Sequence, residues 1–179
     1  MLRGYATDLA SRGLFVLIPD YFERTGTRHD GTAAIEIAEK RGDWATALVE
    51  SVAHARTLTN VDPTRIGMLG FSLGGYLTLL ARAAAQPKAL VEYFAPRFDG
   101  LGPPGSVTSA QIHHGTRDSG PTAFANAALI AAELKREGTN VEVFGYEGAT
   151  HGFASTTAAD RKADRDSKAT TLSFFQSVL

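Results

Sequence analysis

Apolar residues in this chain follow two rhythms, and the alternation between them gives an element order. Leu2, Tyr5, Ala6 and Leu9 recur three and four residues apart, as one face of a helix does, and Gly13 follows as a C′ residue suited to a left-handed stop. Leu14 to Ile18 is instead short and continuously apolar, which predicts a strand buried on both faces and stopped by Pro19-Asp20. Tyr21 to Thr32 reads as loop. Helical spacing returns from about Ala33 to Arg41 and, after Gly42 with Asp43 as N-cap, from Trp44 to about Leu58. Asn60 to Pro63 is turn chemistry. Arg65 to Gly70 then predicts a second buried strand, which runs through Phe71-Ser72-Leu73-Gly74-Gly75 into a helix over Tyr76 to Ala85, halted at Pro87.

The same alternation continues to the end. Ala89 to Phe94 predicts a third strand, followed by a Pro/Gly-rich loop from Ala95 to Ser106, and Ala110 to His114 a fourth, ending at Gly115-Thr116-Arg117-Asp118. Pro121 and Thr122 open a helix carried to Glu137 and closed by Gly138; Val141 to Tyr146 alternates as a strand, and a last helix covers roughly Asp160 to Val178. With no repeat, low-complexity tract or linker, residues 1–179 are expected to form one α/β domain, a mostly parallel sheet with helices on both faces.

Composition removes several classes of function. Lys plus Arg number 18 against 19 Asp plus Glu, with no run of five like charges, so there is no electrostatic reason to expect a nucleic acid or an anionic membrane as partner. Zero cysteines exclude thiolate metal sites and a cysteine nucleophile, so any nucleophile is an oxygen or a nitrogen. The longest apolar stretch, Leu14 to Pro19, is far below the roughly 20 residues a membrane-spanning helix needs, and the N-terminus lacks a signal-like apolar core. A soluble, cytoplasmic protein is expected.

The junction at Ser72 carries the chemistry. Gly70-Phe71-Ser72-Leu73-Gly74 fits G-x-S-x-G between a strand and a helix, the context of a nucleophile elbow, in which small flanking residues let a strained turn close. Ser72 would stand at the carboxyl edge of the sheet, with the Leu73 N–H aimed at a developing oxyanion. A serine at its ordinary pKa is a poor nucleophile and needs a histidine base, itself oriented by a carboxylate. His151, in the loop after the last strand, has the right position and chain order. His29 precedes the elbow, His54 lies inside a helix, and His113 and His114 come before the acid. Asp118 is the leading acid, with Asp99 and Glu147 as alternatives. The adjacent His113 and His114 point to opposite faces of a strand, so they are expected to be one packed and one exposed rather than to share a metal ion. Arg97 and Arg117 are candidates to receive a substrate carboxylate, against the plainer reading of solvated arginines. Tyr93 and Phe94 are candidates to line an acyl pocket, against that of core aromatics.

On these residues the chain resembles the dienelactone hydrolase family of the α/β-hydrolase fold. The resemblance runs from Tyr5 to the C-terminus and is carried by Ala10 to Asp20, Asp62 to Gly75, His114 to Asp118 and His151-Gly152-Phe153. It implies a triad of Ser72, Asp118 and His151 and cofactor-free hydrolysis of a small-molecule carboxylic ester or lactone through an acyl-enzyme. Many members carry cysteine where Ser72 stands here, which moves the expectation from a dienelactone to a general esterase. Members also usually begin with a strand hairpin and a central strand whose loop donates the second oxyanion N–H, whereas this chain opens on the helix after that loop. The missing strand would lie between Leu14 to Ile18 and Arg65 to Leu69. An N-terminally truncated gene model is therefore expected, short of an oxyanion donor typically worth on the order of 3 kcal/mol. Two other readings stay open: a prolyl oligopeptidase-type serine peptidase, and an inactive truncated domain acting as a binding module.

Overall fold

In the computed structural model, residues 2–154 and 156–179 are described. They divide into two units, one ending at Pro63 and the other spanning Thr64–Leu179.

In the first unit the expected opening helix forms as α1, Leu2–Ser11, with Tyr5 and Leu9 buried. Gly13 ends it at φ +85°, its N–H bonded to Ala10 O at 3.0 Å and that of Leu14 to Leu9 O at 3.3 Å. The strand expected over Leu14 to Ile18 does not form: the segment carries no ladder, and Phe15, Leu17 and Ile18 are 50%, 44% and 45% exposed. An apolar run becomes a buried strand only where a neighbour accepts its backbone groups, a condition its own composition cannot supply.

The helical break expected at Gly42 is also absent. One helix, α2, runs through it from Ala33–Thr57, and Asp43 is an interior residue rather than an N-cap. A helical glycine costs about 1 kcal/mol against alanine, which the burial of Trp44, Ala45 and Leu48 directly after it outweighs. Trp44 is anchored through Nε1, which donates to Thr25 Oγ1 at 2.7 Å.

The second unit is built on four parallel strands in spatial order β1-β2-β3-β4: Gly67–Phe71, Ala89–Tyr93, Ser109–Gly115 and Asn140–Tyr146. The register aligns Phe71, Tyr93, His113 and Phe144 across the sheet. Helix α3 (Leu73–Ala85) packs on β1 and β2, α4 (Ala125–Arg136) on β4 and β3, and α5 (Ala158–Val178) on β3, β2 and β4. Arg82 of α3 and Glu137 at the end of α4 form an ion pair, so these helices share a face; α5 takes the other, where Thr171 meets Tyr93 and His113.

Burial follows position in the sheet. The central β2 is buried throughout, whereas β1, expected as a buried strand, is an edge strand whose residues alternate. Covering both faces also corrects the expectation for the paired histidines: His113 and His114 do face opposite ways, yet both are fully buried. Burial, and then the neighbouring His114, push the His113 pKa down to about 3, so it is a neutral core residue. It stacks between Tyr93 at 4.5 Å and Phe144 at 4.9 Å, and its Nδ1 lies 2.8 Å from the Tyr146 hydroxyl. Among the described residues no helix is long and apolar enough to cross a membrane.

Candidate active site

Parallel strands bring their carboxyl ends to one edge, where Ser72, Asp118 and His151 all lie beyond a strand end. Ser72, between β1 and α3, has φ +50° and ψ −119°, a conformation costly for a residue with a Cβ. Tyr93 O accepts the Ser72 N–H at 2.8 Å and helps hold the turn. Two glycines make the close approach: a Cβ on Gly70 would stand 2.2 Å from Gly74 O, and one on Gly75 3.2 Å from both Ala95 Cβ and Gly70 O. Gly74, though part of the pattern, faces nothing within 4 Å, so the steric demand expected of every flanking position falls on Gly70 and Gly75. Leu73 is the first residue of α3, and its N–H belongs to the helix start, where no intrahelical acceptor exists.

The acid and histidine loops are joined to each other. Arg117 N–H donates to Ala149 O at 3.0 Å, Thr116 N–H to Tyr146 O at 3.0 Å, and Gly148 N–H to Thr116 Oγ1 at 2.9 Å. Gly115 permits this, since a Cβ there would lie 2.3 Å from Ala149 O. Asp118 Oδ1 accepts from Ser119 N–H and the Thr122 hydroxyl, each at 2.8 Å, which leaves Oδ2 toward His151 Nδ1, also at 2.8 Å. His151 Nε2 lies 3.1 Å from Ser72 Oγ. A hydroxyl, an imidazole and a carboxylate thus stand in one hydrogen-bonded row.

The remaining candidates are not members of the row. Tyr93 is fully buried, its hydroxyl 2.6 Å from Thr171 Oγ1 in the core beside α5. Phe94 is 2% exposed and meets the His151 ring edge-on at 4.9 Å. Arg97 is engaged by Glu133 at 3.1 Å, and Arg117 is exposed. Asp99 and Glu147 are exposed and outside the row; His29 pairs with Asp20 at 3.1 Å in the first unit, and His54 is exposed on α2.

Sequence reasoning passed over Asp160, whose five hydrogen bonds bracket the His151 loop. Its Oδ1 accepts from the Thr150 N–H (2.8 Å) and hydroxyl (3.0 Å), and its Oδ2 from the Thr156 hydroxyl (3.0 Å) and the Thr157 N–H (3.2 Å) and hydroxyl (2.8 Å). The Thr150 N–H first, then the Thr157, Thr150 and Thr156 hydroxyls, acting against burial, hold its carboxyl far below the ordinary carboxylate range. A signal was there: Thr157-x-x-Asp160 is a capping box that starts α5 at Ala158.

The family model for the dienelactone hydrolase family matches residues 2–179. The chain belongs to this family. Membership places it among carboxylic ester hydrolases, with the α/β-hydrolase fold. A carboxymethylenebutenolidase of Rhodococcus opacus is 33% identical over 93 residues, covering 52% of this chain and 37% of that protein. A Synechocystis sp. protein named for the same activity is 23% identical over 181 residues, covering 91% of this chain and 74% of its own length. Esterase 2 of Thermogutta terrifontis, at 20% identity, superposes with a TM-score of 0.63 over 77% of this chain and 66% of that one, a likeness of fold.

Proposed function

We propose that this family member hydrolyses carboxylic esters or lactones through an acyl-serine intermediate, with Ser72 as nucleophile, His151 as general base and acid, and Asp118 as the group that orients His151. The observation that carries the reading is the row itself, 3.1 Å from Ser72 Oγ to His151 Nε2 and 2.8 Å from His151 Nδ1 to Asp118 Oδ2. Asp118 fixes the tautomer in which Nδ1 bears hydrogen, leaving the Nε2 lone pair toward the serine. Ser72 Oγ attacks the carbonyl carbon as its proton passes to Nε2, and the Leu73 N–H donates to the resulting oxyanion. Collapse expels the alkoxide, which takes the proton from His151. Water then attacks the acyl-serine with the same histidine as base, releasing the acid and restoring Ser72.

An active-site-directed fluorophosphonate tests the assignment. It labels the wild-type chain and leaves Ser72→Ala unlabelled; equal labelling of both removes Ser72 from the role. Short p-nitrophenyl esters are hydrolysed in preference to peptide anilides, and the reverse preference overturns the substrate class.

A further inference from the structure

The carboxylate of Glu92 lies wholly inside the sheet unit, on β2, where every other position of the strand is apolar or aromatic. A buried acid is costly unless its oxygens are engaged, and both are. Oε1 is 3.0 Å from Nε2 of the equally buried His114 on β3, and Oε2 accepts the Ala95 N–H at 2.9 Å. His114 Nδ1 is buried with no hydrogen-bond partner among the described residues, so the pair satisfies one ring nitrogen of the histidine and leaves the other unmatched.

The segment that Glu92 holds touches two members of the row. Tyr93 O receives the Ser72 N–H at 2.8 Å. Phe94, at φ +41°, is a non-glycine residue in the left-handed region; its N–H is tied to His113 O at 2.8 Å, and its ring lies against His151 at 4.9 Å and Phe153 at 5.2 Å. Ala95, whose N–H Glu92 Oε2 accepts, packs closely on the elbow helix: a Cβ at Gly75 would stand 3.2 Å from Ala95 Cβ. On the other side, His114 directly precedes Gly115, whose carbonyl accepts the Asp118 N–H at 3.1 Å.

We propose that Glu92 is a positioning residue: its bonds to Ala95 and His114 lock the Tyr93-Phe94-Ala95 turn to β3 and so hold Ser72 and His151 in register with Asp118. The proposal rests on the serine-hydrolase reading above. Glu92 touches no reacting atom and acts through the turn, whose displacement by about 1 Å lowers the rate near 100-fold while substrate binding stays.

The test pairs turnover with the downfield proton resonance of His151 Nδ1–H, assigned by its loss in His151→Gln. In Glu92→Leu/His114→Leu, where packing is kept and both polar groups are removed together, the unfolding midpoint stays within a few degrees. There kcat falls about 100-fold with KM within about twofold, and the resonance broadens or disappears. Glu92→Gln keeps both bonds, its oxygen accepting from Ala95 and its amide donating to His114 Nε2, and kcat stays within about threefold of wild type. A folded double variant with wild-type kcat and an intact resonance overturns the proposal, as does a Glu92→Gln variant as impaired as the double one. Glu92→Met, read in the same two ways, replaces the double variant if that one does not fold. Wild-type protein that neither turns over esters nor reacts with a fluorophosphonate refutes the hydrolase reading instead, and the resonance alone then decides the role of Glu92.

Discussion

His151 Nδ1 and Asp118 Oδ2 stand 2.8 Å apart across a gradient of exposure, the histidine side chain being 43% exposed and the carboxylate 1%. The imidazole is therefore open to solvent while the carboxylate beside it is dry, where a hydrogen bond is electrostatically stronger than in water. Asp118→Asn turns this against the enzyme. Ser119 N–H can only donate, so it holds the amide oxygen at the Oδ1 position, and the amide NH2 faces His151 Nδ1. The imidazole then carries its proton on Nε2, toward Ser72. In steady-state ester hydrolysis kcat is expected to fall about 10,000-fold, with the unfolding midpoint little changed.

Gly115 and Gly74 form a matched pair of tests. Alanine at 115 puts a methyl group 2.3 Å from Ala149 O, a backbone atom that no rotamer change moves, and forces the acid and histidine loops apart. Denaturant titration is expected to show a loss of about 1–3 kcal/mol, accompanied by a fall in kcat. Alanine at 74 meets nothing within 4 Å and lies in the first turn of α3, so stability is expected to hold or rise by about 0.5 kcal/mol.

That contrast also shows what the chain made legible. The elbow, the order of Ser72, Asp118 and His151, and the parallel strands were readable because each is written in local pattern: a strand-turn-helix junction, loop positions after successive strands, short apolar runs. Leu14 to Ile18 was not, because strand formation depends on a neighbour rather than on the run itself. Gly42 misled because packing around Trp44 overrides a propensity of about 1 kcal/mol. The burial of both His113 and His114 exists only once helices close over both faces of the sheet, and the bonds of Asp160 to Thr150 only once the loop ten residues before it folds back on the start of α5.

His113 gives the acid limb of stability a definite sign. Its pKa is lowered from 6.5 to about 3, by burial first and His114 second, so between those values the unfolded chain binds a proton that the folded protein refuses. Stability is therefore greatest above pH 6.5 and declines as the pH falls toward 3, by up to about 1.4 kcal/mol per unit from this residue. His113→Phe keeps the stack between Tyr93 and Phe144 but has no proton to take up. Urea titrations across this range are expected to show a flatter slope for the variant, whose stability near pH 7 is lower by about 1–3 kcal/mol because the hydrogen bond between His113 Nδ1 and the Tyr146 hydroxyl is lost.

Asp160 acts on the same curve at lower pH and on the site as well. Its folded pKa is depressed from 3.8 by the donors of Thr150, Thr157 and Thr156, so the stability it confers is complete above the unfolded carboxylate range and is lost as the pH falls through the folded value. Asp160→Ala removes the acceptor of five hydrogen bonds and the N3 member of the α5 capping box, and is expected to lower stability at pH 7 by about 2 kcal/mol or more. Below pH 4 the gap to wild type narrows, as the wild-type carboxylate loses its advantage. Because Thr150 adjoins His151, kcat at neutral pH is expected to fall with KM nearly constant. Asp160→Asn, which keeps an oxygen for the Thr150 N–H, lies between wild type and alanine in both measurements, and a variant with full kcat would separate the grip on this loop from the placement of His151.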